Sequence, residues 1–282
     1  MRADDGGVKL VRVPGTIVQS TPMPGITLIL AAPFPSRLRY LWPLMSSFAY
    51  VTRVIIVKSE LSDDEYMKSS ALSSCVYGPM ILRGMSQGGR TRPVDVEICD
   101  ANETITREWM ERLGLLDSDD DDDDDDDDEG GVNENDGIAR IFLDCGNEQE
   151  MPPPARNVVL ERCGRRRCHA GGRKGRMPSA ILAVGPERGW TDNEARVFVD
   201  ECGFESATLG GSILRVDAAV VVGLGIVSAA LDECHAMGMT GGGGSDDAIA
   251  GRMETSTRKR ALESSPTSHD DEPRSPFNVE GE

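Results

Sequence analysis

Between residues 180 and 231 the chain twice ends an apolar run in a glycine-bearing turn and then starts a helix. The first run, 180–184, leads into Gly185-Pro186-Glu187-Arg188-Gly189. The second, at 207–209, leads into Leu209-Gly210-Gly211-Ser212-Ile213-Leu214-Arg215 and an apolar stretch over 217–231. Glycine lets a backbone approach a ligand closely, and turns at the carboxyl ends of strands are where open α/β sheets bind ligands. Either turn alone reads equally as an ordinary strand-to-helix connection. The pair, at this separation, constrains the chain to an α/β fold with one functional edge.

The rest of the chain fits that class. Residues 26–31 form an apolar run of strand character, and 37–50 carry apolar positions at helical spacing (Leu38, Leu41, Trp42, Met45, Phe48), with Pro43 a cost to the helix. A β-branched strand at 54–57 follows, then a helix over 77–85 and a third strand at 94–98. Strand, helix, strand in sequence implies a crossover and a parallel sheet. Strand character returns at 138–143. Residues 157–160 form a short apolar run, and 162–176 read as a basic, Gly-rich loop. Thr191-Asp192-Asn193-Glu194 has the form of a capping box, opening a helix that runs to about residue 202, with Gly203 suited to the left-handed position after it. The stretch 217–231 is apolar nearly all round, which predicts a buried helix.

The net charge of −18 argues at first against a nucleic-acid partner. Asp117, the Asp run 119–128 and Glu129 carry 12 of those negative charges, leaving an ordinary −6 for everything else. Such a block repels itself and stays solvated. The acidic insert, 114–137, and the tail, 236–282, lack the apolar surface to fold and are expected to be disordered. Residues 1–24 hold a strand-like run at 8–13 and a Thr/Pro-rich connector; the folded domain is expected over 25–235. Seven scattered cysteines suggest reduced thiols in an intracellular protein. No apolar run reaches the length of a membrane span, so no membrane partner is expected.

The order GPERG, then LGGSILR, then an acidic residue and a helix of small residues resembles the knot region of the SPOUT methyltransferases. It is most similar to the family that methylates N3 of a uridine in 16S-type ribosomal RNA, matching in order and spacing over about fifty residues. Residues 26–98 resemble the first half of that family's catalytic domain, including the glutamine-containing segment that begins at Gln87. The family's front β-rich RNA-binding domain has at most its last strand here. The resemblance implies a SPOUT-type parallel sheet flanked by helices, with a C-terminal trefoil knot that pattern alone would never indicate. It also implies S-adenosyl-L-methionine as cofactor, ribosomal RNA of the small subunit as partner, and a homodimer with the helix 217–231 as a plausible contact. Cytoplasm, nucleolus and organelle (chloroplast or mitochondrion) all stay open.

On the same basis Gly185, Pro186, Glu187, Gly189, Leu209, Gly210, Ile213 and Leu214 are candidates to line the cofactor pocket. Arg188 stands where the family has glycine; its side chain must point away from the cofactor or add a charge near the substrate. Uracil N3 must lose a proton before it attacks a methyl group, which calls for a base and for fixed positive charge near the carbonyl oxygens. Arg215 can stabilise that charge, and Asp217 can orient it or accept the proton, although the family carries Glu there. Equally, Asp217 can favour the helix N-terminus through its dipole with Arg215 as ion-pair partner. Arg37, Arg39, Gln87, Arg90 and Arg92 are candidates for RNA contact. Cys163, Cys168 and His169 lack the spacing of a common zinc site, and no metal is expected. Two rival readings are a methyltransferase of this fold acting at another RNA position, and an RNA-binding or ribosome-assembly protein without turnover.

Overall fold

The structure is a computed structural model describing residues 23–116, 138–144, 151–168 and 177–239. The run at 8–13, the Asp tract, the basic stretch 169–176 and the tail beyond 239 lie outside the described residues. Six parallel strands form one sheet: β1 (Gly25–Ala31), β2 (Val51–Val57), β3 (Asp95–Ile98), β4 (Ile138–Leu143), β5 (Ser179–Val184) and β6 (Glu205–Ala207). Their order is β3-β2-β1-β5-β4-β6.

The central strands are near-continuous apolar runs because helices cover both faces, as parallel sheets require. Alternation decides which side chain goes where. Leu28, Leu30, Val54, Ile56, Ala180 and Leu182 join one core, and Ile29, Ala31, Ile55, Val57, Ile181 and Ala183 the other. The first core is closed by α1 (Pro35–Ser47) and by the helices at Ser74–Gln87, Ala155–Cys168 and Val216–Met239. The second is closed by Trp109 and Met110 and by Val197 and Phe198.

In chain order the remaining helices are α2 (Asp64–Met67), α3 (Ser74–Gln87), α4 (Arg107–Arg112), α5 (Ala155–Cys168), α6 (Asp192–Arg196), which continues as a π turn (Val197–Glu201), and α7 (Val216–Met239). Connections β1→β2, β2→β3 and β4→β5 run toward the β3 edge and place α1, α3 and α5 on the first face. Connections β3→β4 and β5→β6 run toward the β6 edge and place α4 and α6 on the second. Opposite direction on opposite face gives every crossover the same hand, as the handedness rule demands. The chain therefore leaves β1 toward one edge and β5 toward the other. The crevice beyond their carboxyl ends is the switch point where such sheets bind ligands.

Helix α1 continues through Pro43, and α1 and α3 pack unusually close. A Cβ on Gly84 would collide with the Pro43 carbonyl oxygen and the Ser46 hydroxyl. Ser46 Oγ donates to the Ile81 carbonyl at 3.1 Å, across the two helices.

Three expectations are corrected. Residues 155–168 are helical where a short run and a loop were expected, because Ala155, Val158 and Val159 lie on one helical face and bury into the first core. Strand β6 sits at 205–207, and Thr208 only bridges Pro154. Helix α7 is not buried all round: Val220, Leu224, Val227 and Leu231 are buried, but Val222 is 38% exposed, since only one face meets α5, α1 and β5.

Because backbone stands against Gly84, Gly84→Ala should lower the unfolding free energy by about 2–3 kcal/mol in urea titrations. Gly225→Ala, in open space on α7, should be neutral or stabilise by about 0.5–1 kcal/mol.

Candidate functional site

The turn after β5 is built from the strand's end outward. Gly189 N donates to the Pro186 carbonyl at 2.9 Å, and Gly189 has φ +76°, a conformation that favours glycine. Gly185 is required for another reason: a Cβ there would sit 3.1 Å from the Trp190 indole. That indole stacks on Phe142, and its Nε1 is shielded from solvent without a hydrogen-bond partner among the described residues.

Two carboxylates tie this turn to neighbouring loops. Glu187 Oε1 accepts from the Phe34 amide at 3.0 Å and from Arg37 Nη1 at 2.8 Å. Phe34 is the N-cap of α1 and offers no side-chain cap, so Glu187 supplies an acceptor where the helix presents free amides. Glu194 is 3% exposed and completes the expected capping box with Thr191. It also reaches across to the loop after β2. Its oxygens accept from the Glu60 amide at 2.9 Å, Ser59 Oγ at 3.1 Å and the Thr191 amide at 2.8 Å.

The second turn leaves β6. Gly210, at φ +129°, is closed by a reciprocal pair with Thr208 Oγ1, which donates to the Gly210 carbonyl at 2.9 Å and accepts from its amide at 3.2 Å. A Cβ at Gly189, Gly210 or Gly211 would meet nothing within 4 Å, so these backbones are open to an approaching ligand. Ile213 is 88% exposed, while Leu209 and Leu214 are partly buried. The Arg215 carbonyl accepts from Ala219 N at 2.7 Å, which sets Arg215 at the start of α7 and Asp217 in its first turn. Arg215 Nε lies 3.3 Å from Asp217 Oδ1. The pair is close enough for an ion pair but not aligned as a hydrogen bond, and Oδ1 is shielded and accepts none.

Both turns thus emerge at the carboxyl edge, from strands separated only by β4, about 10 Å apart at ordinary strand spacing. Neither of the two cavities described along this edge is lined by 209–214. One, of about 230 Å³, lies on the other flank of the first turn, between Glu187 and Arg188 and the segment 60–66. The other, of about 260 Å³, lies between 58–60, 101–105 and Glu194.

The five residues expected to meet RNA divide between opposite edges. Arg37 and Arg39 start α1 at the carboxyl edge, where Arg37 pairs with Glu187 and Arg39 Nη2 donates to Ser70 Oγ at 2.7 Å. Gln87, Arg90 and Arg92 lie at the far end, about 20 Å of helix away. Arg90 Nη1 donates to the Ser46 carbonyl at 3.1 Å and Nη2 to Val51 at 2.6 Å, joining the end of α1 to the start of β2. Burial, and secondarily Arg92, lowers its pKa from the ordinary guanidinium value. The sequence reading missed Phe34, Glu60, Asp63 and Tyr66 at the carboxyl edge; only the cap-forming run Ser62-Asp63-Asp64-Glu65 signalled a turn there.

Nucleophilic thiol chemistry finds no support at Cys99 or Cys202. Burial pushes their thiols up to about 12 and about 11, so both stay protonated near neutral pH. No group of three or more His, Cys, Asp or Glu side chains among the described residues is arranged to hold a metal; His169 lies outside them. No described helix is long and apolar enough to cross a membrane.

Residues 156–228 match the model of an RNA methyltransferase domain, a span that contains both glycine turns, Arg215 and Asp217. Among solved structures, the chain is similar to a probable rRNA methyltransferase from Porphyromonas gingivalis, at 14% identity and a TM-score of 0.51, over 77% of this chain and 72% of that one. Weaker similarity extends to ribosomal RNA small subunit methyltransferase E from Neisseria gonorrhoeae bound to S-adenosyl methionine (20% identity, TM-score 0.43, 77% of this chain, 66% of that). A putative methyltransferase from Legionella pneumophila in complex with the same cofactor gives 18% identity and a TM-score of 0.48, over 73% of this chain and 66% of that. No curated protein matches the sequence at a significant level. The α/β fold expected from the sequence, an all-parallel sheet flanked by helices, is the one observed, and it is shared with that Porphyromonas gingivalis structure.

Replacing Glu194 with Ala strands the buried Ser59 hydroxyl and the part-buried amides of Glu60 and Thr191, and should destabilise the protein by about 3 kcal/mol in urea denaturation. Glu194→Gln, which keeps one acceptor, should recover about half of that loss.

Proposed function

We propose that this protein transfers a methyl group from S-adenosylmethionine to N3 of a uridine in small-subunit ribosomal RNA. The observation that carries the reading is the RNA methyltransferase match over 156–228, because it spans the two turns that share the sheet's carboxyl edge. The glycine backbones at 189 and 210–211 leave room for a cofactor to lie against them. S-adenosylmethionine, when bound, supplies an electrophilic methyl group. The residues around it have two tasks: to hold the uracil in line with that methyl, and to manage the charge that develops as N3 gives up its proton and attacks.

Arg215, with its side chain 67% exposed, is free to reach a substrate carbonyl oxygen and stabilise negative charge there. Asp217 keeps an unbonded, shielded oxygen beside it, suited to orient the guanidinium or to take the N3 proton. The same reading includes threading of the 209–214 loop into a trefoil knot, a homodimer formed on the outward face of α7, and an intracellular site of action.

Incubation of small ribosomal subunits with the protein and labelled S-adenosylmethionine, followed by nucleoside analysis, should yield 3-methyluridine. A different methylated nucleoside would replace the N3 assignment. Absence of cofactor binding in calorimetry would overturn the enzyme reading in favour of a non-catalytic RNA-binding protein. Arg215→Ala should lower kcat by about 10²-fold, with cofactor affinity unchanged.

A further inference from the structure

The cavity between Arg188 and the segment 60–66 is not needed by the chemistry above, yet it lies where the sheet reverses its winding, beyond the ends of β2, β1 and β5. Its volume of about 230 Å³ is room for about eight waters, the scale of one nucleobase rather than a nucleotide. One wall is Tyr66 with Leu61, and Phe34, outside the lining, braces Tyr66 edge-on at 5.6 Å between centroids.

The charged lining is one guanidinium, Arg188, and three carboxylates; the Ser62 hydroxyl is spent on the Ala32 carbonyl at 3.3 Å. Each carboxylate spends one oxygen on the protein. Glu60 Oε1 accepts from Asn193, Asp63 Oδ1 from the Glu65 amide, and Glu187 Oε1 from Phe34 and Arg37. Among the described residues their second oxygens have no hydrogen-bond partner. The site therefore presents acceptors on one side, a cationic fork on another and an aromatic floor.

Guanine has the matching edges. N1–H and the N2 amino group are adjacent donors for a carboxylate, while O6 and N7 accept from an arginine. Uracil has one ring N–H between two carbonyl oxygens, which a carboxylate would repel. Aromatic faces take any unstacked base, and arginines alongside take phosphate. We infer that this cavity holds an unstacked guanine of the substrate RNA, stacked at Tyr66 and read by Arg188, Glu60 and Asp63. The inference rests on the protein acting on RNA. It adds a second recognition point on the far side of the turn that meets the cofactor.

The test uses the full chain and fluorescence anisotropy at low salt, with short single-stranded oligouridines carrying one central guanosine, inosine or adenosine. Guanosine should bind about tenfold more tightly than inosine, which lacks the N2 amino group. The double variant Glu60→Gln, Asp63→Asn should erase that preference, and Tyr66→Ala should weaken all three oligomers about tenfold. Equal binding of guanosine and inosine oligomers, or Tyr66→Ala binding like the parent, would overturn the inference and leave the proposed methyl transfer standing. Calorimetry with S-adenosylmethionine on the same variants separates the two: an intact cofactor isotherm shows that the fold and the other flank survive. A parent protein that binds none of the oligomers would overturn the inference together with the RNA reading.

Discussion

The carboxyl edge of the sheet is held by two carboxylates from one short stretch of chain. Glu187 grips the start of α1, and Glu194 grips the loop after β2. The turn after β5 would otherwise be a flexible connection between a strand and a five-residue helix. The two grips fix its position against loops that follow β1 and β2, two strands on the same side. A buried carboxylate that accepts from backbone amides is worth keeping charged and costly to remove. Rigid placement of that turn is what lets its glycine backbone serve one flank while its side chains serve the other.

The strand order explains why the grips point where they do. All crossovers share one hand, so reversing direction along the sheet also changes face. β1 and β5 are neighbours whose chains depart in opposite directions, one beneath each face. A gap at their carboxyl ends follows from that departure and needs no special sequence. What fills it is sequence-dependent: Glu187, Arg37 and the Phe34–Tyr66 pair here. Helix α7 leaves the sheet's β6 edge and crosses onto the first face against α5, α1 and β5, so Arg215 and Asp217 reach the same edge from the opposite side.

Strands were legible because apolar runs in β1, β2 and β5 are buried on both faces, and runs of that kind carry their own boundaries. The capping box at Thr191 was legible because it is local. Helix α5 was not, since the arginines after Leu160 hide an apolar face that only Ala155, Val158 and Val159 supply. Nor were the ties between loops: Glu187 and Arg37 lie 150 positions apart, and Glu194 and Glu60 134 apart. Arg90 shows the converse. Its place near a glutamine segment suggested a ligand contact, but two backbone carbonyls left open at the end of α1 and the start of β2 claim its guanidinium. Unpaired carbonyls at element ends attract arginines, as phosphates do, and sequence does not say which is nearer.

Arg188 illustrates how a departure from an expected glycine is accommodated. A side chain at that turn position must point either toward the 209–214 loop or away from it. It points away, lining the cavity with Glu60, Asp63 and Tyr66. Gly189, with φ +76°, follows it and carries the left-handed conformation the turn needs, so position 188 can bear a side chain without strain. Glu187 pairs with Arg37 rather than with Arg188, which leaves the exposed Arg188 side chain available for a partner from outside. A turn of five residues thereby separates two jobs. Gly189 leaves open space beside the backbone, and Arg188 faces the cavity.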